Sequence, residues 1–199
     1  MRDYGMSEPI KRCAWVTADP VYQQYHDTVW GRPETDSQRL FEKLCLDGQQ
    51  AGLSWLTILK KQANYEAAFF NFEPARIIKM TQQDIDRQMQ NPGIIRNKLK
   101  IESIIKNAHG FMKIEQQQSF AQFLWQFTKG KTQINHWVKA EEVPVSSPES
   151  KAMAKALKGY GFTFVGETIC YAFMQAVGMV MDHQTDCYCY TAACQEAID

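Results

Sequence analysis

At 199 residues, 45% of them hydrophobic and 12% aromatic, the chain can bury a sizeable core and is the size of one domain or two small lobes, which excludes a disordered or fibrous class. Lys plus Arg and Asp plus Glu both total 22, so no global positive field points to nucleic acid, and such a partner has to be met by local clusters of charge. Six cysteines are too few for a disulfide scaffold, the N-terminus lacks the pattern of an export signal, and no window approaches the roughly 18 apolar residues of a membrane span; a cytoplasmic protein is expected, with thiols serving as metal ligands or small core residues.

Residues 1–9 carry no period and are expected to form a flexible arm ahead of a single helical domain over 10–199. Asp19-Pro20 and Gly31-Arg32-Pro33 read as turns, with helices beginning after them. Thr35, Asp36 and Ser37 offer N-cap oxygens for a helix whose stripe is Leu40, Phe41, Leu44 and Cys45. A second helix is expected over 54–70, with Leu56, Leu59, Ala63 and Ala67 on its inward face. Thr81-Gln82-Gln83-Asp84 has the form of a capping box for a short helix closed by Asn91-Pro92-Gly93. The helix after it takes Ile94, Leu99, Ile101, Ile104 and Ile105. Ser119 caps an aromatic helix with Phe120, Phe123, Leu124 and Phe127, ended by Lys129-Gly130. The acidic, proline-bearing stretch 140–150 is expected to be an exposed linker between two helical lobes. Ser147-Pro148 starts a helix that Gly159 ends. No alternating strand pattern exceeds a few residues, so the fold class is all-α.

His183 and Cys187 are four apart, and on a helix both would face one ion; Cys13 and His26, far off in the chain, would complete a closed Cys2His2 set suited to structural zinc. An isolated HxxxC is a weak signal, and Cys189 or Cys194 could stand in for Cys187. Cys45 and Cys170 fall in apolar stripes and read as core residues.

Asp47 lies seven residues beyond Leu40 and three beyond Leu44, on the face that should point inward. A carboxylate there is a candidate for partial burial and a raised pKa, although a solvated residue at a helix end is the commoner outcome of such a pattern. Leu46-Asp47-Gly48-Gln49-Gln50-Ala51-Gly52-Leu53-Ser54-Trp55 places amides, glycines and an exposed leucine beside it, and Tyr25, Trp30 and Trp55 could supply aromatic faces for a flat cationic ligand, if they are not simply core. Gly159-Tyr160-Gly161-Phe162-Thr163-Phe164-Val165-Gly166 presents backbone N–H groups before a helix bearing Ile169, Phe173 and Met174, a place where phosphate can bind. Lys151, Lys155 and Lys158 add positive charge there, as do Arg96, Lys98 and Lys100 elsewhere, but most glycine turns between helices carry no ligand.

Arg12-Cys13-Ala14-Trp15, Tyr25-His26-Asp27 with Trp30-Gly31, Gly48-Gln49-Gln50-Ala51-Gly52-Leu53-Ser54-Trp55, Gly93-Ile94-Ile95-Arg96, and Phe164-Val165-Gly166 through Ile169-Cys170-Tyr171 to Asp182-His183 resemble the bacterial 3-methyladenine DNA glycosylase I family, in its order and spacing, over roughly 13–190. The resemblance implies a helix-hairpin-helix glycosylase fold, removal of 3-methyladenine from double-stranded DNA, and Cys13, His26, His183 and Cys187 as ligands of one structural Zn2+. It further implies a pocket of Trp15, Tyr25, Trp30 and Trp55 around a flipped base, with Asp47 as the acting carboxylate, Gly52-Leu53 as a wedge into the duplex, and the Val165-Gly166 turn on phosphate. A monomer without nucleotide cofactor is expected. One departure stands out: the family usually has glutamate at the position of Asp47, and the shorter side chain withdraws the charge from the base. The family also lacks the catalytic aspartate of its wider superfamily, so Asp182 is not assigned that role. The alternatives are a zinc-stabilised protein that binds damaged DNA without cutting it, and a zinc-dependent hydrolase, which needs an open metal position.

Overall fold

The computed structural model describes residues 10–199, and the expected arm at 1–9 lies outside them. Among the described residues the helices are α1 (Pro20–Thr28), α2 (Ser37–Gln49), α3 (Trp55–Leu59), α4 (Gln62–Ala68), α5 (Pro74–Ile77), α6 (Gln82–Met89), α7 (Lys98–Glu115), α8 (Phe120–Trp125), α9 (Pro148–Gly159), α10 (Glu167–Ala176) and α11 (Tyr190–Glu196). The only strands among them are β1 (Gln133–Ile134) and β2 (Val180–Met181), a two-residue parallel pair. No helix there is long and apolar enough to cross a membrane.

α2 packs against both α7 and α10 and carries much of the core. Leu40, Phe41 and Leu44 of α2 and Ile101, Ile104 and Ala108 of α7 are wholly buried, and each such aliphatic or aromatic side chain contributes roughly 1.5–3 kcal/mol. Phe41, Phe111 and Phe120 join α2, α7 and α8, with ring centroids 5.2 Å apart for Phe41–Phe111 and 4.9 Å for Phe111–Phe120. Local signals placed many helix ends. Asp36, Thr81, Ser119 and Ser147 each accept a backbone N–H as N-caps, and Thr81–Asp84 forms the expected capping box. The 140–150 stretch holds a short 3₁₀ turn and the start of α9, and its residues range from exposed to, at Ser150, buried.

Several expectations change. Asp19-Pro20 starts a helix instead of a turn: Asp19 caps α1 by accepting the Val21 N–H, and Pro20 takes the first helical position, where its missing donor costs nothing. The helix expected over 54–70 is broken at Lys60-Lys61 into α3 and α4. Ala63 and Ala67 face solvent, because Tyr65 and Phe69 have far more apolar area to bury and take the inward positions. Ile94 is buried but precedes α7, which starts after the Asn97 cap. His183 and Cys187 lie in the irregular segment between β2 and α11, not on a helix.

Candidate active site

The inward stripe of α2 ends on a charged residue. Asp47 is 3% exposed, so the buried reading holds and the solvated one fails. α2 runs on to Gln49, which puts Asp47 inside the last turn, where Tyr25 and Trp55 line the same cavity. Lys43, one turn earlier, ion-pairs with Asp47 Oδ1, and its ammonium stands 3.9 Å from the centre of the Trp55 ring. Burial raises the Asp47 pKa against the pull of Lys43, and burial lowers the Lys43 pKa against the pull of Asp47. Asp47 Oδ2 is buried without a hydrogen-bond partner. An acceptor left in that state costs about 1–3 kcal/mol, which a ligand donor would recover.

That oxygen belongs to a residue lining a cavity of about 310 Å3, within the usual range for small-ligand pockets. Trp15, Tyr25, Trp30 and Trp55 all line it, as the sequence suggested, together with Tyr22, Gln50, Gln175 and Asp182, which it did not. The rings form a connected wall: Trp15–Trp30 centroids are 5.1 Å apart, Trp15–Tyr22 4.9 Å and Tyr25–Trp55 5.5 Å. Burial holds the Tyr25 phenol well above its ordinary pKa, so it stays protonated. Trp55 Nε1 is a second buried polar atom without a partner.

Behind Trp30 lies the cysteine and histidine cluster. Cys13, His26, His183 and Cys187 are all buried, and their ligand atoms lie within 4.8 Å of one another. Cys13 Sγ is 3.4 Å from His183 Nδ1, and Cys187 Sγ is 3.5 Å from His26 Nε2 and 3.6 Å from His183 Nδ1. Tetrahedral Zn–S and Zn–N bonds imply S···N separations of about 3.6 Å, so the donors fit a metal ion. His26 Nδ1 meets Asp27 Oδ1 at 2.8 Å, and Arg12 grips Asp27 with two nitrogens, a support of the kind that orients metal-bound histidines. Trp30 packs edge-on against His183, 4.7 Å between centroids, so the cluster props the aromatic wall. Cys189 groups with His26 and Asp27 rather than with the four. Cys45 and Cys170 are core residues.

Asp182 is also buried, but Asn135, Trp137, Tyr171 and Gln175 donate to its two oxygens at 2.7–2.8 Å. Four donors occupy the carboxylate, which suits it to holding Gln175 and the chain before His183 in place, not to activating water.

At the end of α2, the Gln49–Ser54 loop is pinned from α7. Lys100 Nζ donates to the carbonyls of Gln49 and Ala51 at 2.8 and 2.6 Å, and Gln49 donates back to the Lys100 carbonyl at 2.9 Å. Lys100 is therefore buried and committed, and is not the surface charge expected of it. The loop presents Gly52 at φ +77° and Leu53 with 40% of its surface exposed, a large apolar side chain at a tip. α9 and α10 form a helical hairpin whose turn lies against the end of α2, where a Cβ on Gly48 would sit 3.1 Å from Phe164. Asn107 of α7 clamps that turn, accepting the Thr163 N–H at 2.8 Å and donating to the Thr163 carbonyl at 3.2 Å. Val165 is buried in the turn, Gly166 caps α10, and Lys151, Lys155 and Lys158 stand exposed around a shallow cavity that Gly166 lines.

Comparison with known proteins agrees with this layout. Residues 15–190 match the model of the methyladenine glycosylase family. The chain is 50% identical over 182 residues to DNA-3-methyladenine glycosylase 1 of Escherichia coli (strain K12), covering 91% of this chain and 97% of that protein. A crystal structure of a 3-methyladenine DNA glycosylase I superposes with a TM-score of 0.89 at 54% identity, covering 90% of this chain and all of the other. A structure of 3-methyladenine DNA glycosylase I from Staphylococcus aureus, described as giving the basis of 3-methyladenine recognition, reaches 0.88 at 44% identity, over 90% and 96% of the two chains.

Proposed function

The chain belongs to the methyladenine glycosylase family, and from that premise we propose how its residues act as a DNA-3-methyladenine glycosylase. The observation that carries the site assignment is Asp47 Oδ2: a buried acceptor with no partner, on a residue lining an aromatic cavity. N3-methylation makes adenine in DNA a cation and a good leaving group. Flipped from the duplex, the base stacks among Trp15, Tyr25, Trp30 and Trp55 and presents its exocyclic amine or positive ring to Asp47. The bond from the sugar carbon C1′ to N9 then breaks with its electron pair going to the base, which leaves neutral; a water oxygen bonds to C1′ and its proton passes to solvent, giving an abasic site. The carboxylate pairs with the positive charge that the base carries until the bond breaks, and normal adenine, uncharged, gains little from it.

Leu53, exposed at its loop tip beside Gly52, fills the gap left by the flipped nucleotide. The α9–α10 hairpin, read as a helix-hairpin-helix motif, meets phosphate through backbone N–H groups at Val165 and Gly166 with help from the α9 lysines. The Val165 side chain is buried, so its part is played by main chain. Cys13, His26, His183 and Cys187 would hold one Zn2+, whose full set of protein ligands leaves it the structural task of tying 10–199 together as one domain.

The test is release of free 3-methyladenine from methylated duplex DNA by the intact protein and by Asp47→Asn at equal concentration. Release that falls in the variant supports the assignment. Absence of release by the folded intact protein would overturn it and leave a protein that binds DNA without cutting it.

A further inference from the structure

We propose that Lys43 is an internal stand-in for the cationic base: its ammonium takes the carboxylate and the aromatic face that a methylated adenine would use, and so sets how strongly the pocket prefers a cation to a neutral base. The inference rests on the glycosylase reading of the cavity. A cation-binding pocket needs a buried counter-charge and a ring face. Here Asp47 Oδ1 already pairs with Lys43, and the same ammonium stands 3.9 Å from the Trp55 ring centre. The Lys43 side chain is only 15% exposed and lines the cavity itself. Two cations cannot both claim one buried carboxylate at full strength, so a charged lesion either displaces Lys43 or shares Asp47 with it. A neutral base faces no such rivalry.

The surroundings offer the displaced ammonium a destination. Tyr25, Lys43 and Trp55 also line a second cavity, together with Glu42 and Glu66. Gln62 bridges those two acids, donating to Glu42 at 2.9 Å and to Glu66 at 3.0 Å. Lysine has a flexible four-carbon stem and donors that rotate freely, so it can exchange one carboxylate for another where a rigid guanidinium could not. The single acceptor kept free, Asp47 Oδ2, marks where the base makes first contact before Oδ1 is released.

The experiment compares the intact protein with Lys43→Met and Lys43→Arg. Two probes are titrated against tryptophan fluorescence: the permanently cationic 3,9-dimethyladeninium and neutral free 3-methyladenine. Single-turnover release of 3-methyladenine from methylated duplex DNA is measured alongside. Lys43→Met should bind the cationic probe about tenfold more tightly while the neutral probe moves by less than about threefold, and Lys43→Arg, whose rigid guanidinium cannot leave Asp47 for another carboxylate, should bind the cationic probe more weakly than the intact protein does. Equal shifts for both probes, or weaker binding of the cation by Lys43→Met, would overturn the proposal and make Lys43 a support for Asp47. If Lys43→Met does not fold, a Lys43→Arg protein with an increased preference for the cation would overturn it as well. Tighter cation binding by Lys43→Met with no release from DNA by any form would leave the Lys43 proposal standing and sink the glycosylase reading. Release by the intact protein with no change in probe preference would do the reverse.

Discussion

Asp47 is a short acid whose two oxygens are treated differently, Oδ1 held by Lys43 and Oδ2 left bare. Asp47→Asn keeps the shape and removes the charge, so it should lower single-turnover release of 3-methyladenine by at least about a hundredfold, the scale of losing one preorganised electrostatic partner, with an unchanged helical spectrum. Asp47→Glu restores the missing methylene and should retain release, which a comparison of rates at saturating enzyme would check. A second acid gives a stability prediction. Burial, reinforced by Glu66, pushes Glu42 up to about 7 from its ordinary 4.5. Because the folded-state pKa lies above the unfolded one, the folded protein holds that proton more tightly. Its contribution is complete below about pH 4.5 and is lost as pH rises through about 7. Glu42→Gln should therefore flatten the fall in Tm between pH 5 and pH 8, recovering on the order of 1–2 kcal/mol at the higher pH. The inward position of Asp47 was legible from its spacing to Leu40 and Leu44. Its burial was not, because helical period gives a direction and says nothing of what arrives to cover it, and Lys43 drew no notice as one more lysine on a helix.

The elements show the same division. Caps were readable where a side chain meets a backbone N–H two or three residues on, as at Thr81, Ser119 and Ser147. α1 was missed because Asp-Pro suits a turn and a helix start equally, and α1 carries both Tyr25 and His26. The hairpin was visible as glycines between helical stretches, but its rigidity comes from α7. Gly110 of α7 lies so close to the Phe162 ring that a Cβ there would sit 2.5 Å from it. Gly110→Ala should thus cost about 1–3 kcal/mol by overpacking, read as a lowered Tm. Under the proposed phosphate contact, Lys155→Ala and Lys158→Ala should each reduce the salt dependence of duplex binding by a slope of about 1 while leaving undamaged and methylated DNA equally affected, which titrations at several salt concentrations would reveal.

For the molecule as a whole, the cysteine and histidine cluster joins chain ends 170 residues apart, as in the Cys13–His183 contact. If it holds zinc, elemental analysis should find one ion per chain in the intact protein and none in Cys13→Ala, and chelation should lower Tm. The sequence by itself determined the helical class, several helix starts and, through the motif block, the aromatic set and the four residues of the cysteine and histidine cluster, because these rest on period, capping chemistry and a block long enough to be specific. Only the tertiary structure decided that Asp47 is buried, that Lys43 occupies its near oxygen and the Trp55 face, that Lys100 pins the Gln49–Ser54 loop, and that His183 and Cys187 converge without a helix. Each of those depends on segments distant in the chain packing against one another. Burial, ion pairing and desolvation are properties of that packing, and no local window of sequence contains them.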